Sequence, residues 1–505
     1  MPRTPRTYNK IAFNRAELRD KIYACWIGKN IGGTMGTPFE GQQQLNDIQG
    51  FVTEKGVVLP NDDLDLQLVW LRAMDEVGPE AVNSKVLAEY WTSFIGPSWN
   101  EYGVGQGNLR AGILPPMSGE LYNDEWRNSN GAWIRTEIWA CTHPGAPEKA
   151  IRLAFEDASV DHGFGEGSYA TIFVAAMQSA AFIFDDLRTL IDIGLSKIPE
   201  DCRVARSIKI VLDNFDKGTD WKETREKLVQ DSADLGWFQA PMNVAFAVLG
   251  MLYGGCDFKK SMIIAIDCGD DTDCTGATVG STLGIMFGTR CIPADWREHI
   301  GDDIVTLSII KGHGYFPRSC TELTDCVFSM LGATMRTPNS IAAQHGPLFE
   351  LTDGPSDFGT LKPEAFMGRS FAEETFRRSR FSFTVESVYA TALIEYEGAP
   401  IIAENGQLKL KVTCTLNTAR MAEQKLFKLR FLLPEGWRAE GRKHVHASMP
   451  SGSHYGQVWS LEHGDSTTEI TLFAGENVEA VNRAVLEITS PERPNPILVP
   501  LTILG

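Results

Sequence analysis

The chain has 505 residues, and its 47 lysines and arginines are outnumbered by 65 aspartates and glutamates, which gives a formal net charge of −18. Binding to a nucleic acid or to an anionic membrane needs a basic surface, so neither partner is expected. Hydrophobic residues make up 43% of the chain and aromatic residues 10%. This composition excludes a disordered or fibrous protein and is sufficient for the cores of two or three globular domains.

The chain shows no signal for export or membrane insertion. Its first ten residues are basic, but no unbroken apolar segment follows them, so a signal peptide is not predicted. The longest apolar stretches, residues 170–184 and 244–256, are shorter than the roughly 20 residues of a membrane-spanning helix. The ten cysteines include no C-x-x-C pair and are expected to be reduced. The sequence therefore predicts a cytoplasmic protein.

The N-terminal two thirds of the chain has the apolar spacing of helices. Leu18, Ile22 and Trp26 recur every four residues, which places them on one helical face. We therefore predict an all-helical domain over residues 1–334. Within it, the glycine-rich stretch 103–108 is predicted to belong to a loop-rich insertion that covers a cleft. Further runs with helical spacing occur at residues 66–74, 149–155, 168–184, 186–198, 204–215, 242–253, 258–266, 275–287 and 323–331.

The C-terminal part has the two-residue period of strands. Leu408, Leu410 and Val412 alternate with polar residues, as expected for strands with one buried face. Repeated short runs of this kind, separated by turn residues, predict a small β-sandwich over residues 371–505. Residues 335–370 contain several proline and glycine turns and little periodicity, so they are predicted to form a linker.

The first of two acidic clusters precedes a predicted helix. It contains Asn61, Asp62, Asp63 and Asp65, directly before the helical run 66–74. One such residue suffices to cap the free N–H groups of a helix, and capping is the simplest interpretation. Several adjacent carboxylates repel one another, however, and a bound cation is the usual reason to hold them together.

The second acidic cluster lies between two apolar runs. It includes Asp270, Asp271 and Asp273, and its neighbours on both sides are core-type sequence. An EF-hand loop counted from Asp271 would need glutamate at its twelfth position, where the chain has Thr282. The remaining interpretation is a D-x-D pair at the start of a helix that binds one hard cation. An all-oxygen site of this kind suits Mg²⁺, Mn²⁺ or Ca²⁺ and does not suit zinc.

Three motifs in this order resemble the ADP-ribosylglycohydrolase family, which includes the dinitrogenase reductase-activating glycohydrolase. The family's G-x-x-x-G-x-P-x-E pattern is matched by residues 32–40, which run from Gly32 to Glu40. Its T-D-D-T motif is matched by residues 61–64, and its G-G-D-T-D-T motif by residues 269–274. The resemblance covers about residues 15–290 and implies an all-α orthogonal helical domain. It does not extend to the predicted sandwich.

The resemblance implies a site for one or two Mg²⁺ ions, or for Mn²⁺ or Ca²⁺. It also implies that Asp63 and Glu40 are the catalytic residues that deprotonate or position a water molecule. The chain departs from the family at two ligand positions, where Asn61 and Cys274 each replace a threonine, and also at Leu64, which replaces a threonine, and at Asp270, which replaces a glycine. An amide oxygen still suits a hard cation, whereas a thiol does not, so the second ion depends on another oxygen such as that of Asp270. The implied metal ligands are Asn61, Asp62, Asp63, Asp271, Asp273 and Cys274.

Substrate-binding residues are also implied by the resemblance. Residues 128–135 are similar to the family's glycine loop that holds the ribose and phosphates, and His162 lies among glycines before a small-residue helix. A lone histidine is more often a structural residue, but ligands commonly meet the backbone at glycine-rich helix starts, so both interpretations of His162 stay open. The predicted substrate-binding residues are Asn130, Gly131, Arg135, His162, Glu166 and Asp270.

The function implied is metal-dependent hydrolysis of a ribosyl, ADP-ribosyl-type glycosidic bond in a small molecule or an ADP-ribosylated substrate. The first alternative is the same chemistry on a small ribosyl or furanosyl glycoside or a nucleoside-like compound. The second is a protein that binds ADP-ribose or a sugar without cleaving it. A structural Ca²⁺ site in a helical interaction protein is the remaining alternative. The sequence does not determine the oligomeric state.

Overall fold

The structure, a computed structural model, describes residues 10–312, 314–335, 348–368, 371, 375–416, 426–446, 466–491 and 493–505. Over these residues the predicted order of helices followed by strands is confirmed, with sixteen α-helices in the N-terminal region. The helices are α1 (Arg15–Gly36), α2 (Asp62–Val77), α3 (Ser84–Phe94), α4 (Asn100–Arg110), α5 (Met117–Glu120), α6 (Glu137–Thr142), α7 (Pro147–Ala158), α8 (Glu166–Ala181), α9 (Leu187–Leu195), α10 (Arg203–Asp216), α11 (Trp221–Asp231), α12 (Ala240–Tyr253), α13 (Phe258–Asp267), α14 (Thr272–Phe287), α15 (Ala294–Ile300) and α16 (Cys320–Thr334).

Helices α1 and α14 pack with their backbones in direct contact. A Cβ atom added at Gly28 would lie 2.1 Å from the carbonyl oxygen of Gly280, and one added at Gly32 would lie 2.1 Å from that of Gly276. Only glycine permits so close an approach. The contact continues to the end of α1, and it therefore brings the first predicted motif beside the second acidic cluster.

The glycine-rich stretch 103–108, predicted as part of a loop-rich insertion, is helical and lies within α4. Glycine lowers helix propensity, which is why the sequence pattern favoured a loop. Packing overrides this preference, because a Cβ atom at Gly103 would lie 2.5 Å from the carbonyl oxygen of Ser98. A Cβ atom at Gly105 would lie 3.0 Å from the Cβ atom of Asp161. The glycines therefore permit close packing of a helix.

The C-terminal strands form two antiparallel sheets, with strand orders β3-β4-β5-β9-β7 and β11-β10-β6-β8. Strand burial alternates as the sequence predicted: in β5 the residues Leu408, Leu410 and Val412 are buried and those between them are exposed. Face-to-face packing of the sheets as a sandwich stays a prediction. The strands are β3 (Ser382–Glu386), β4 (Ala390–Tyr396), β5 (Gln407–Leu416), β6 (Leu426–Leu432), β7 (Arg438–Gly441), β8 (His444–His446), β9 (Thr467–Phe473), β10 (Val481–Thr489) and β11 (Ile497–Leu504).

Two compact units divide the chain. The first contains residues 1–106 and 119–375, and the second contains residues 107–118 and 376–505. The first also holds a two-stranded parallel sheet of β1 (Lys10–Asn14) and β2 (Leu348–Thr352). Strand β2 falls within the predicted linker 335–370, of which residues 336–347, 369 and 370 lie outside the described residues. The domain boundaries stay predictions. Among the helices described above, none has the length and apolar character needed to cross a bilayer.

Candidate active site

The two acidic clusters of the sequence meet in space. Asp63 lies in the first turn of α2 and Cys274 in the first turn of α14, and the thiol of Cys274 donates to Asp63 Oδ1 at 3.4 Å although 211 residues separate the two. Ligand atoms of Asp63, Asp273 and Cys274 lie within 4.8 Å of one another. Because helix N-termini carry partial positive charge, both clusters are favoured at these helix ends.

A pocket opens beside these helix ends. Its volume of about 300 Å³ is at the lower end of the range for ligand-binding pockets. All of its lining residues belong to the helical unit. One wall is acidic and another is aromatic. The lining residues are Glu40, Asp62, Trp99, Asn100, Glu101, Tyr102, Ser129, Asn130, Gly131, Ile134, Phe238, Asp271, Asp273, Cys274 and Leu307.

Four pocket carboxylates, which we call the outer carboxylates, are Glu40, Asp62, Asp271 and Asp273. Ligand atoms of Glu40, Asp271 and Asp273 lie within 4.8 Å of one another. Asp271 Oδ1 and Asp273 Oδ1 are buried and have no hydrogen-bond partner among the described residues. Asp62 accepts a 3.0 Å hydrogen bond from Tyr102 Oη. Buried oxygens without donors are unfavourable unless a cation or water meets them, so the outer carboxylates fit a hard cation.

The environment of the outer carboxylates raises their pKa values. Burial, followed by the charges of Asp62 and Asp63, raises the pKa of Glu40 to about 7. The Glu40 side chain lines the pocket and is exposed to solvent. Burial, followed by the charge of Glu40, raises the pKa of Asp273 to about 7. Burial and the charge of Asp273 raise the pKa of Asp271 further. Protons and cations therefore compete for these groups near neutral pH.

Two further carboxylates, Asp63 and Glu137, bind a buried lysine, and we call them the inner carboxylates. Lys29 Nζ lies 3.3 Å from Asp63 Oδ2 and 3.2 Å from Glu137 Oε1, and it donates to the carbonyl oxygen of Ile134 at 2.7 Å. All three ionic side chains are fully buried. Burial alone would lower the pKa of Lys29, but the charges of Glu137 and Asp63 outweigh it and raise that pKa. The inner carboxylates thus have a cationic partner inside the protein.

The predicted ligands Asn61, Asp63 and Cys274 have different surroundings. Asn61 caps α2: its Oδ1 accepts from the Asp63 N–H at 2.7 Å. Asp63 does not line the pocket, and its two oxygens contact Lys29 and Cys274. Cys274 does line the pocket. The metal roles of these three residues stay predictions, as does the catalytic role of Asp63.

Asn130 and Gly131, predicted to bind substrate, both line the pocket. Asn130 Nδ2 donates to Asp271 Oδ2 at 2.6 Å, and its Oδ1 accepts from Trp133 Nε1 at 2.9 Å. This amide therefore fixes the orientation of Asp271. A Cβ atom at Gly131 would lie 2.1 Å from Glu101 Oε1, so only glycine lets this loop approach the carboxyl group.

Arg135 and His162 are fully buried and lie behind the pocket wall. Arg135 binds Asp157 at 2.9 Å and Asp161 at 2.7 Å, and so ties its loop to α7 and the segment that follows. His162 Nε2 lies 3.1 Å from Oγ of Ser129, which does line the pocket. Their predicted substrate contacts therefore stay predictions, and the structure shows contacts that hold the pocket loop.

Glu166 and Asp270 do not line the pocket themselves, although Asp270 Oδ1 accepts at 3.3 Å from the N–H of Phe238, which does. Glu166 accepts the N–H groups of Arg203 and Val204 at 3.0 Å each, which satisfies the first turn of α10. Asp270 has a φ of 66° and accepts from Asn243 Nδ2 at 3.0 Å. These contacts stabilise the fold around the site, and a substrate role for either residue stays a prediction.

Several residues at the site were missed by sequence reasoning. Lys29 is a single cation inside an apolar helix and gives no local motif. Glu101 lies at the start of α4, and its Oε2 atom is buried without a hydrogen-bond partner in the described structure. Phe238 also lines the pocket. The only signal available was their proximity to glycine-rich segments.

The first unit is mainly helical and carries a carboxylate-lined pocket beside the N-termini of α2 and α14. A family model for ADP-ribosylglycohydrolases matches residues 14–318, which is more than half of the chain. The chain belongs to the ADP-ribosylglycohydrolase family. The chain is also similar to a solved structure described as an ADP-ribosylglycohydrolase-related protein complex. The matched region covers 63% of this chain and 100% of that chain, with 17% sequence identity and a TM-score of 0.46. A search of curated proteins found no match.

Proposed function

We propose that this protein is a metal-dependent glycoside hydrolase that cleaves a ribosyl bond of the ADP-ribosyl type. Family membership supports hydrolysis of a glycosidic bond. The observation that supports a metal requirement is the pair of buried oxygens without partners, Asp271 Oδ1 and Asp273 Oδ1. Magnesium is the cation proposed first, because carboxylate oxygens are its preferred protein ligands; manganese and calcium share this preference.

Asp62, Asp271 and Asp273 are proposed to hold the cation, and Glu40 is proposed to act as the general base. A bound divalent cation supplies positive charge that orients the ribose hydroxyls and lowers the pKa of a nearby water. Glu40 lies on the solvent-accessible side of the pocket, where a water molecule can reach it. Burial and the neighbouring carboxylates raise the pKa of Glu40, which increases its affinity for a proton.

Glu101 is proposed to hold the proton that the leaving group needs. It lines the same pocket and is 8% exposed, and burial raises its pKa although His162 opposes this. A protonated carboxyl group facing a carboxylate base is the usual arrangement in glycoside hydrolysis. The proton passes from Glu101 to the leaving oxygen or nitrogen, and Glu40 receives one from water.

The rest of the pocket suits the charge that develops during cleavage. Glycoside cleavage proceeds through an oxocarbenium-like transition state, whose positive charge the acidic wall stabilises. Trp99, Tyr102 and Phe238 also line the pocket. Their apolar rings lower the local dielectric, which strengthens this electrostatic attraction.

A small uncharged ribosyl or furanosyl glycoside is the second candidate substrate. No lysine, arginine or histidine is among the pocket-lining residues of the described chain, while five carboxylic acids are. A diphosphate would therefore face like charge without a cationic side chain, which is unfavourable. A neutral leaving group, as in a nucleoside-like compound, avoids this repulsion.

The test compares turnover of two substrate types by the purified chain with Mg²⁺. One is an ADP-ribosylated peptide, and the other is a pair of nitrophenyl ribofuranosides, one of each anomer. Release of ADP-ribose supports the first candidate, and release of nitrophenol supports the second. Turnover should cease in excess EDTA. Binding of ADP-ribose or ribose without turnover of any substrate would contradict hydrolysis and indicate a non-catalytic binding protein.

A further inference from the structure

Lys29 occupies the centre of the inner carboxylates. Its Nζ atom has three oxygen neighbours, at 2.7 Å from the Ile134 carbonyl, 3.2 Å from Glu137 and 3.3 Å from Asp63. The lysine side chain is fully buried. A buried ammonium with only oxygen neighbours has the charge and surroundings of a small bound cation.

The same carboxylate that binds Lys29 also belongs to a potential metal cluster. Asp63, Asp273 and Cys274 have ligand atoms within 4.8 Å of one another. One oxygen of Asp63 already contacts Lys29 Nζ, and the other accepts from the Cys274 thiol at 3.4 Å. A protonated thiol is a poor ligand for a hard cation, so this cluster offers little to a second ion.

We propose that the site holds one divalent cation, between the outer carboxylates, and that the ammonium group of Lys29 takes the place of a second one. The outer carboxylates have no lysine, arginine or histidine within salt-bridge distance in the part of the chain that the structure describes, whereas the inner carboxylates share Lys29. A second divalent cation beside Asp63 would be repelled by the ammonium group bound to the same carboxylate. This inference rests on the proposed cation site but not on the proposed substrate.

Binding of Mn²⁺ to the full wild-type chain is the direct test. Isothermal titration calorimetry is expected to give one ion per chain, and electron paramagnetic resonance is expected to show isolated Mn²⁺ without exchange coupling. Two ions per chain with a coupled spectrum would overturn the inference while leaving the cation site in place. No binding at all would overturn the cation site itself, so the two failures are distinguishable.

The double variant Lys29→Met with Cys274→Thr extends the test. It removes the ammonium and supplies a hydroxyl ligand, so it is expected to bind two Mn²⁺ ions and give the coupled spectrum. A folded double variant that still binds one ion would overturn the role of Lys29. Lys197→Met is the matched control, because Lys197 is also a buried lysine paired with a carboxylate, Glu148, away from the pocket. It should bind one ion. If the double variant does not fold, the wild-type stoichiometry still decides.

Discussion

The outer and inner carboxylates include neighbouring residues of α2, Asp62 and Asp63, but differ in how their charge is balanced. Asp271 and Asp273 line the pocket, and each keeps a buried oxygen without a hydrogen-bond partner among the described residues. Asp63 and Glu137 are fully buried and share the ammonium of Lys29. The first arrangement is incomplete without a cation or water, whereas the second is complete within the protein.

This difference shows that residue type alone does not assign a role to an acidic residue. Asp62 and Asp63 are adjacent at the start of α2, yet only Asp62 lines the pocket. Successive residues of a helix point about 100° apart, so neighbours face different surroundings. The outer carboxylates are therefore available for chemistry, and the inner ones are positioned to support them.

The largest effect is expected for Asp273→Asn, which removes one charge from the outer carboxylates. Loss of the cation should remove both charge stabilisation and water activation, so kcat/KM is expected to fall by ~10⁴. Steady-state kinetics and Mn²⁺ titration measure this loss. The fold should persist, because repulsion among the outer carboxylates decreases. An active variant with full metal occupancy would contradict the division into outer and inner groups.

Lys29→Met is expected to act mainly on stability. Removing one partner of a buried ion pair leaves charge uncompensated, which typically costs about 3–5 kcal/mol of unfolding free energy. Urea denaturation measures the loss. Lys197→Met is the control and should cost less, because its partner Glu148 is 40% exposed and water can solvate the remaining charge. Equal losses in the two variants would contradict a special role for Lys29.

Glu40→Gln is expected to lower kcat by ~10²–10³, as for the loss of a general base, with a smaller change in KM. The amide keeps the shape of the side chain and cannot accept the proton. Glu156→Gln is the matched control outside the pocket and should leave kcat within about twofold, since its carbonyl oxygen still accepts the backbone N–H of Ser84. A full rate in Glu40→Gln would point to another base. Asp63→Asn would then be tested for the same loss.

The smallest expected effect is a pH-dependent loss of stability in the metal-free protein. Burial raises the pKa of Asp273 to about 7, well above its value of about 3.9 in an unfolded chain. The stability that protonation of this group contributes is therefore fully present below about pH 4 and is lost as pH rises through about 7.

The melting temperature of the EDTA-treated protein is accordingly expected to fall between pH 5 and pH 8. Magnesium at 100 times its Kd should restore about 2.7 kcal/mol of unfolding free energy at pH 8. Asp273→Asn is the control, since it should show a shallower pH dependence and no response to the ion. A melting temperature that is insensitive to EDTA at pH 8 would contradict a cation among the outer carboxylates.

The sequence was sufficient to predict the order of helices and strands and the proximity of the two acidic clusters. Helical and strand periods are local patterns, and the change after residue 370 was readable from Leu408 and its neighbours. The family motifs linked Asp63 to Asp273 across more than 200 residues. The helical conformation of residues 103–108 was not predicted, because the close packing of Gly103 and Gly105 is visible only in three dimensions.

The sequence did not predict which site residues face the pocket and which are paired inside the protein. Lys29 carries no motif, and only the folded structure places its ammonium group beside Asp63 in the first turn of α2. Arg135 resembles a substrate-binding residue in sequence, but its guanidinium group is enclosed by Asp157 and Asp161. Pairings of this kind are tertiary contacts, which spacing along the chain does not encode.

The most direct test of the central claim is anomalous diffraction from crystals of the wild-type chain grown with Mn²⁺. We expect one anomalous peak within coordination distance of Asp271 and Asp273, with Lys29 Nζ still between Asp63 and Glu137. No peak at the pocket, or a peak beside Asp63 and Cys274 in place of Lys29, would contradict the account.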